Sequence, residues 1–159
     1  MAYKKKTIQQ DFIDYVSNAS CDFDTAVSLT FAKEPLNTQQ ASRTFNWFLN
    51  KLNDDCYGNN WQRRAKHIPS ARIAIVPILA DGFGYKRLHY HCAAVKPKNL
   101  NDWQFEKLIL MLWDNSYLGS KEHNKIEPIW NKKGWAKYIS EELTLDTADI
   151  IDEKNIHIY

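Results

Sequence analysis

The sequence predicts an α+β domain built on a four-stranded antiparallel sheet. Four short segments are rich in β-branched and aromatic residues, segments with helical apolar spacing separate the first from the second and the third from the fourth, and a glycine-bearing loop joins the second to the third. The order is helix, then β-α-β-β-α-β, then helix.

Each element has its own signal. Ile8, Phe12, Ile13, Tyr15 and Val16 recur at helical spacing, so a first helix is expected over Thr7–Ser17. Residues Thr25–Phe31 (Thr-Ala-Val-Ser-Leu-Thr-Phe) alternate as a strand, and Pro35 prevents its simple continuation. Asn37 or Thr38 can cap a helix carrying Phe45, Phe48, Leu49 and Leu52, which the polar stretch Asp54–Asn60 ends. Arg72–Leu79 and Arg87–Val95 form a hairpin around Asp81-Gly82-Phe83-Gly84. Asn101 or Asp102 opens a helix whose apolar side holds Trp103, Phe105, Leu108, Ile109, Leu112 and Trp113, ending at Tyr117-Leu118-Gly119. A short strand follows over Lys125–Trp130. Lys132-Lys133-Gly134 turns into a last helix, Trp135 to about Glu142, with Trp135, Tyr138, Ile139 and Leu143 facing the body. Such a split β-α-β order gives the ferredoxin-like arrangement, with two helices on one sheet face. RNA-binding sheets share this plan, so fold alone assigns no function.

A chain of 159 residues with 44% hydrophobic and 25% charged residues is expected to be one domain over 1–159, with a palm at about 23–142 and an acidic tail at 143–159. Cys21, Cys56 and Cys92 are too few and too widely spaced for a disulfide framework or a Cys-x-x-Cys metal knuckle. No segment reads as membrane-spanning, so a soluble, cytoplasmic protein is expected. No internal repeat or glycine-rich cofactor loop is present, and no small-molecule cofactor is expected.

Charge is uneven. Residues 1–140 hold 20 of the 21 Lys/Arg but 13 of the 19 Asp/Glu, leaving a basic body and an acidic end. A basic body suits a polyanionic partner, although an excess of this size also occurs as plain surface charge. Arg63, Arg64 and Lys66, with Trp61 before them, sit in an expected loop and can contact a DNA backbone. Trp47, Trp103 and Trp113 lie at helical spacing and are expected in the core. Asp146, Asp149 and Asp152 in the tail fit a short amphipathic helix, or a segment lying over the basic surface in place of nucleic acid.

Two patterns carry chemistry. In Leu88-His89-Tyr90-His91, strand alternation puts His89 and His91 on one face, where both can ligate one ion, and turns Tyr90 to the other. A His-x-His pair also arises incidentally in strands. Tyr138, on the last helix, is either packed beside Trp135 or presented as a nucleophile. A phenol ordinarily titrates near ~10 and needs a polarised phosphate to attack at neutral pH.

Together these patterns resemble the HUH endonuclease superfamily of rolling-circle replication initiators, relaxases and single-tyrosine transposases. Asp24–Phe31 resembles the first-strand motif, whose Ser28 and Thr30 would touch the bound strand. Arg87–Cys92 resembles the metal-binding histidine motif, and Gly134–Ile139 the tyrosine motif, with Tyr138 as nucleophile. The resemblance implies a metal-dependent cut of single-stranded DNA with Mg²⁺ or Mn²⁺ on His89 and His91. Asp81 is the nearest acidic third ligand, and Arg87, Lys133 and Lys137 are further DNA contacts. It also implies replication initiation on a mobile element, with unwinding from a partner helicase or from torsion in the DNA.

The sequence departs from the family pattern twice. Ala80 stands where an acidic ligand is common, and Glu141 where a lysine follows the tyrosine by one turn. The departures fit an alternative, a relative that binds single-stranded nucleic acid without cutting it, using exposed aromatics such as Trp61, Tyr85 and Trp130. A structural or protein-binding module of the same fold is the third reading.

Overall fold

The computed structural model describes residues 2–80, 88–140 and 151–159, with the side chains of 2–8 excepted. Asp81, Arg87, Tyr85, Glu141, Leu143 and the tail as far as Ile150 lie outside the described residues. The elements are α1 (Ala2–Ser17), β1 (Thr25–Thr30), α2 (Thr38–Tyr57), α3 (Trp61–Ala65), β2 (Ile75–Ala80), β3 (His89–Ala94), α4 (Asp102–Asp114), β4 (Lys125–Pro128) and α5 (Lys132–Ser140). A 3-10 turn at Glu153–Asn155 follows.

The four strands form one sheet in the order β2-β3-β1-β4, and each neighbouring pair is antiparallel. β1 and β2 are therefore parallel with β3 between them. The register places Ser28 and Ile78 on either side of His91, and Thr30 and Ala80 on either side of His89.

The helices begin where their capping chemistry allows. Asn37 Oδ1 accepts from Gln40 N at 2.9 Å at the start of α2. At α4, Asn101 and Gln104 satisfy each other's backbone N–H groups in a reciprocal capping box. α2 buries Ala41, Phe45, Phe48, Leu49 and Leu52, and α4 buries Phe105, Ile109, Leu112 and Trp113. Both sets pack with Val27, Leu29, Leu79, Tyr90 and Cys92. Trp113 is central: Phe31 and Phe48 meet its ring edge-on at 5.2 and 5.5 Å, and its indole N–H donates to Thr30 O at 2.8 Å. Gly119 lies so close that any Cβ would overlap the Trp113 carbonyl.

The opposite sheet face is covered by the two outer helices. Phe12, Ile13 and Val16 of α1 and Ala136 and Ile139 of α5 pack with Val76, Ile78 and Ala93. Two layers of helices thus enclose the sheet, and the histidines lie on the α1/α5 side.

Both sheet edges are protected. β4 presents Lys125 and Glu127, which pair at 2.9 Å. Along β2 runs the end of the chain: Ile151 bridges Ile78, His157 bridges Ile75, and Asp152 N donates to Pro77 O. Asp152 accepts from Tyr90 Oη at 2.8 Å, Ser42 Oγ at 2.9 Å and Asn155 Nδ2 at 2.8 Å. Here the structure corrects the reading of the tail. Its described portion caps an edge strand, and Asp152 is an internal acceptor rather than an exposed anion.

Several other expectations are corrected. Trp61–Ala65 is a one-turn helix, too short to show periodicity in sequence. Trp103 is 65% exposed and Trp47 40% exposed, because each lies two positions from a buried residue, Phe105 and Phe45, and so on the other side of its helix from the stripe that packs on the sheet. Conversely, Trp61 is buried, its indole N–H on Asp54 Oδ1 at 2.9 Å and the Arg72 guanidinium over its ring, so it is no stacking platform. No described helix is long and apolar enough to cross a membrane.

Candidate functional site

Alternation along β3 settles where each histidine faces. Tyr90, fully buried, enters the α2/α4 layer and meets Phe45 at 4.4 Å between ring centroids. His89 and His91, half-buried, share the other face, with Nε2 atoms 2.8 Å apart and rings at 85°. Ser28 Oγ lies 3.0 Å from His91 Nδ1.

This geometry suits a metal ion on two counts. Adjacent donors about 2.1 Å from an octahedral ion stand about 3 Å apart, close to the observed nitrogen separation. For His91 Nε2 to offer its lone pair, the ring proton must be on Nδ1, and Ser28 Oγ is placed to accept it. Ser28, expected at the DNA, is instead engaged with the histidine. Imidazole donors favour a first-row transition ion such as Mn²⁺ over Mg²⁺, whose usual ligands are oxygens. Among the described residues no third His, Cys, Asp or Glu joins the pair. Ala80, almost fully buried, faces His89, and Asp81 is not described.

α5 stands on the histidine face. Its Ala136 and Ile139 share an apolar layer with Ile78, the residue in register with His91. Tyr138 does not join that layer: it is 67% exposed, so it neither faces the body nor packs as a core residue. Lys133 and Lys137 flank it on exposed positions of the same helix, whereas Lys132 is tied back to the carbonyls of Ala19 and Cys21. Trp130, just before the helix, is 91% exposed. Asn131 fixes the entry, its Oδ1 accepting from Gly134 N at 3.0 Å.

Two other tyrosines, Tyr90 and Tyr57, are less fit for nucleophilic attack. Burial, then the charge of Asp152, holds the Tyr90 phenol far above its usual range. Burial pushes Tyr57 up to about 12. Cys92 is likewise driven up by burial, and Cys56 to about 12, so neither thiol is activated.

The remaining expected contacts are scattered. Thr30 is buried, and its hydroxyl donates to His123 O at 2.8 Å rather than facing a ligand. Arg63, Arg64 and Lys66 are exposed, but α3 leads into β2 at its Ile75 end. His89 faces Ala80 and His91 faces Ile78, five and three residues, or about 17 and 10 Å, along the strand. The structure does not bring this basic segment to the histidines.

His123 is a residue that sequence patterns did not single out. Its backbone is left-handed, with φ of 64°, a conformation costing a non-glycine residue about 1 kcal/mol or more. The bond from Thr30 holds it there, and Asn124 Oδ1 accepts from Thr30 N at 2.8 Å. Thr30 is in register with His89, so this loop borders the histidine pair with the His123 ring largely exposed. Only the positive φ, invisible in sequence, marks it.

No protein-family model, curated protein or solved structure matches the chain.

Proposed function

We propose that the chain is an HUH-type endonuclease and strand transferase for single-stranded DNA, on a ferredoxin-like palm. The convergence of His89 and His91 Nε2 at 2.8 Å, with Ser28 on Nδ1 of His91, carries this reading. The strand order β2-β3-β1-β4 and the solvent-facing Tyr138 on a helix of the same sheet face support it.

His89 and His91 would hold a divalent ion, Mn²⁺ or Mg²⁺, which when bound would polarise the scissile phosphate. Tyr138 Oη attacks phosphorus, its proton passing to solvent. The new bond is tyrosine oxygen to phosphorus, and the bond to the 3′ oxygen breaks, that oxygen taking a proton from solvent, which leaves a 5′-phosphotyrosine and a free 3′-OH. The covalent link conserves the energy of the broken bond, which suits replication initiation on a mobile element. Lys133 and Lys137 offset phosphate charge, and Trp130 offers a face for a stacked base. A partner helicase or torsion in the DNA opens the duplex.

Ala80 opposite His89 favours a second reading, a relative that binds single strands without cutting. Incubation with labelled single-stranded oligonucleotides and Mn²⁺ separates the two. The nuclease reading predicts cleavage that His89→Ala and His91→Ala abolish and chelation stops. Binding that survives chelation, with no cleavage of any strand, supports the second reading.

A further inference from the structure

The outer surface of α2 carries a groove of about 370 Å³ that the histidine site does not use, within the volume range of small-ligand sites. Gln39, Arg43, Asn46, Trp47 and Asn50 line one wall, and Lys154 on the 3-10 turn stands on the other. Its charged lining residues are two cations, and no carboxylate lines it. Neither cation forms an ion pair among the described residues. The nearby Asp152 is already committed to Tyr90, Ser42 and Asn155.

The walls are fixed relative to each other before any ligand arrives. Asn46 Nδ2 donates to Asn155 Oδ1 at 2.9 Å, and Asn155 Nδ2 reaches Ser42 O and Oγ, each at 3.1 Å. Asn155 is 2% exposed, so the turn is built into the body. Trp47 contributes a large ring to this surface, although helical spacing alone assigns it to the core.

We propose that this groove is a second contact for a single-stranded nucleic acid. One base lies against Trp47, its phosphate sits between Arg43 and Lys154, and the side-chain amides meet the base edge. An aromatic face beside paired cations is the combination that recognises a nucleotide in any sequence. α2 packs on the sheet face opposite the histidines, so a strand held in both places wraps the β2 edge. The inference rests on the chain's binding single-stranded nucleic acid, and not on its cutting one.

The six tryptophan indole N–H signals of ¹⁵N-labelled protein provide the test, with Trp47→Phe identifying the signal of Trp47. Hexathymidylate and hexauridylate serve as probes, the pair distinguishing DNA from RNA, and tripolyphosphate as a baseless control. The Trp47 signal should move with at least one oligonucleotide and not with tripolyphosphate. It should still move with chelator present, since no His, Cys, Asp or Glu lines the groove. Arg43→Glu/Lys154→Glu should weaken that response about tenfold. A Trp47 signal that stays still while that of Trp130 moves would overturn the groove and leave the histidine-face reading intact. An undiminished response in the charge-reversed variant would overturn the phosphate assignment.

Discussion

The Ser28 hydroxyl stands 3.0 Å from Nδ1 of His91, directly across the β1–β3 pair. A hydroxyl there can accept the Nδ1 proton of the tautomer that frees Nε2, the nitrogen facing His89. Ser28→Ala removes that acceptor without replacing either ligand. Mn²⁺ affinity, measured by calorimetry, should fall about tenfold, the lower end of what loss of an outer hydrogen bond to a ligating histidine costs. Unchanged affinity would mean that His91 orientation does not depend on Ser28.

Ala80 faces His89 from β2, on the same sheet face. A carboxylate at this position adds an oxygen donor to two nitrogens. Ala80→Asp is expected to tighten Mn²⁺ binding about tenfold or more, since ligand number and charge set affinity for hard cations. Weaker binding in a folded variant would show that the ion, if bound, does not approach β2.

Asp152 joins the chain end to α2 and β3 through Ser42 and Tyr90. Asp152→Ala leaves three donors without this acceptor and should cost about 2–3 kcal/mol in urea unfolding. Tyr90→Phe removes one of those bonds and should cost about 1–2 kcal/mol. The double variant should cost less than the sum, because the two share a bond. Strict additivity would contradict the coupling.

His157 sits where the chain end pairs with β2, its Nε2–H donating to Pro69 O at 2.8 Å. Burial lowers its basicity, opposed by the Pro69 bond and reinforced by the charge of Arg72. The unfolded chain therefore binds the proton more readily than the folded one. The associated stability is fully present above the ordinary histidine value of about 6.5 and is lost as pH falls through the lower folded value. The urea midpoint should drop more steeply below about pH 6.5 in the native protein than in His157→Gln, which keeps a donor and does not titrate. Parallel profiles would contradict this.

Much of the architecture was legible because periodicity reports it. The alternation in Thr25–Phe31 and the apolar stripe from Phe45 to Leu52 correspond to β1 and α2, and Asn37 and Asn101 signalled their helix starts. The common face of His89 and His91 followed from their spacing in a strand. Trp47 and Trp103 were expected inward and lie outward, because each stands two positions, about 200° of helix, from the buried Phe45 and Phe105; Tyr138, expected either packed beside Trp135 or presented, is exposed. Trp61 shows the reverse, since Asp54 and Arg72 make its burial possible only in three dimensions. The acidic end was read as a short amphipathic helix or a segment over the basic surface, because composition cannot show that Asp152 meets Tyr90, 62 residues earlier. The left-handed His123 had no sequence signal, since any residue type can be forced there by its neighbours.

The central claim is that Tyr138 forms a covalent bond to DNA beside the histidine pair. The most direct measurement is intact-protein mass spectrometry after incubation with single-stranded oligonucleotides and Mn²⁺, followed by peptide mapping. The peptide containing Tyr138 should carry an added 5′-phosphoryl oligonucleotide, absent in Tyr138→Phe and in His89→Ala/His91→Ala. Cleavage that persists in Tyr138→Phe, or an adduct mapped to another residue, would contradict it.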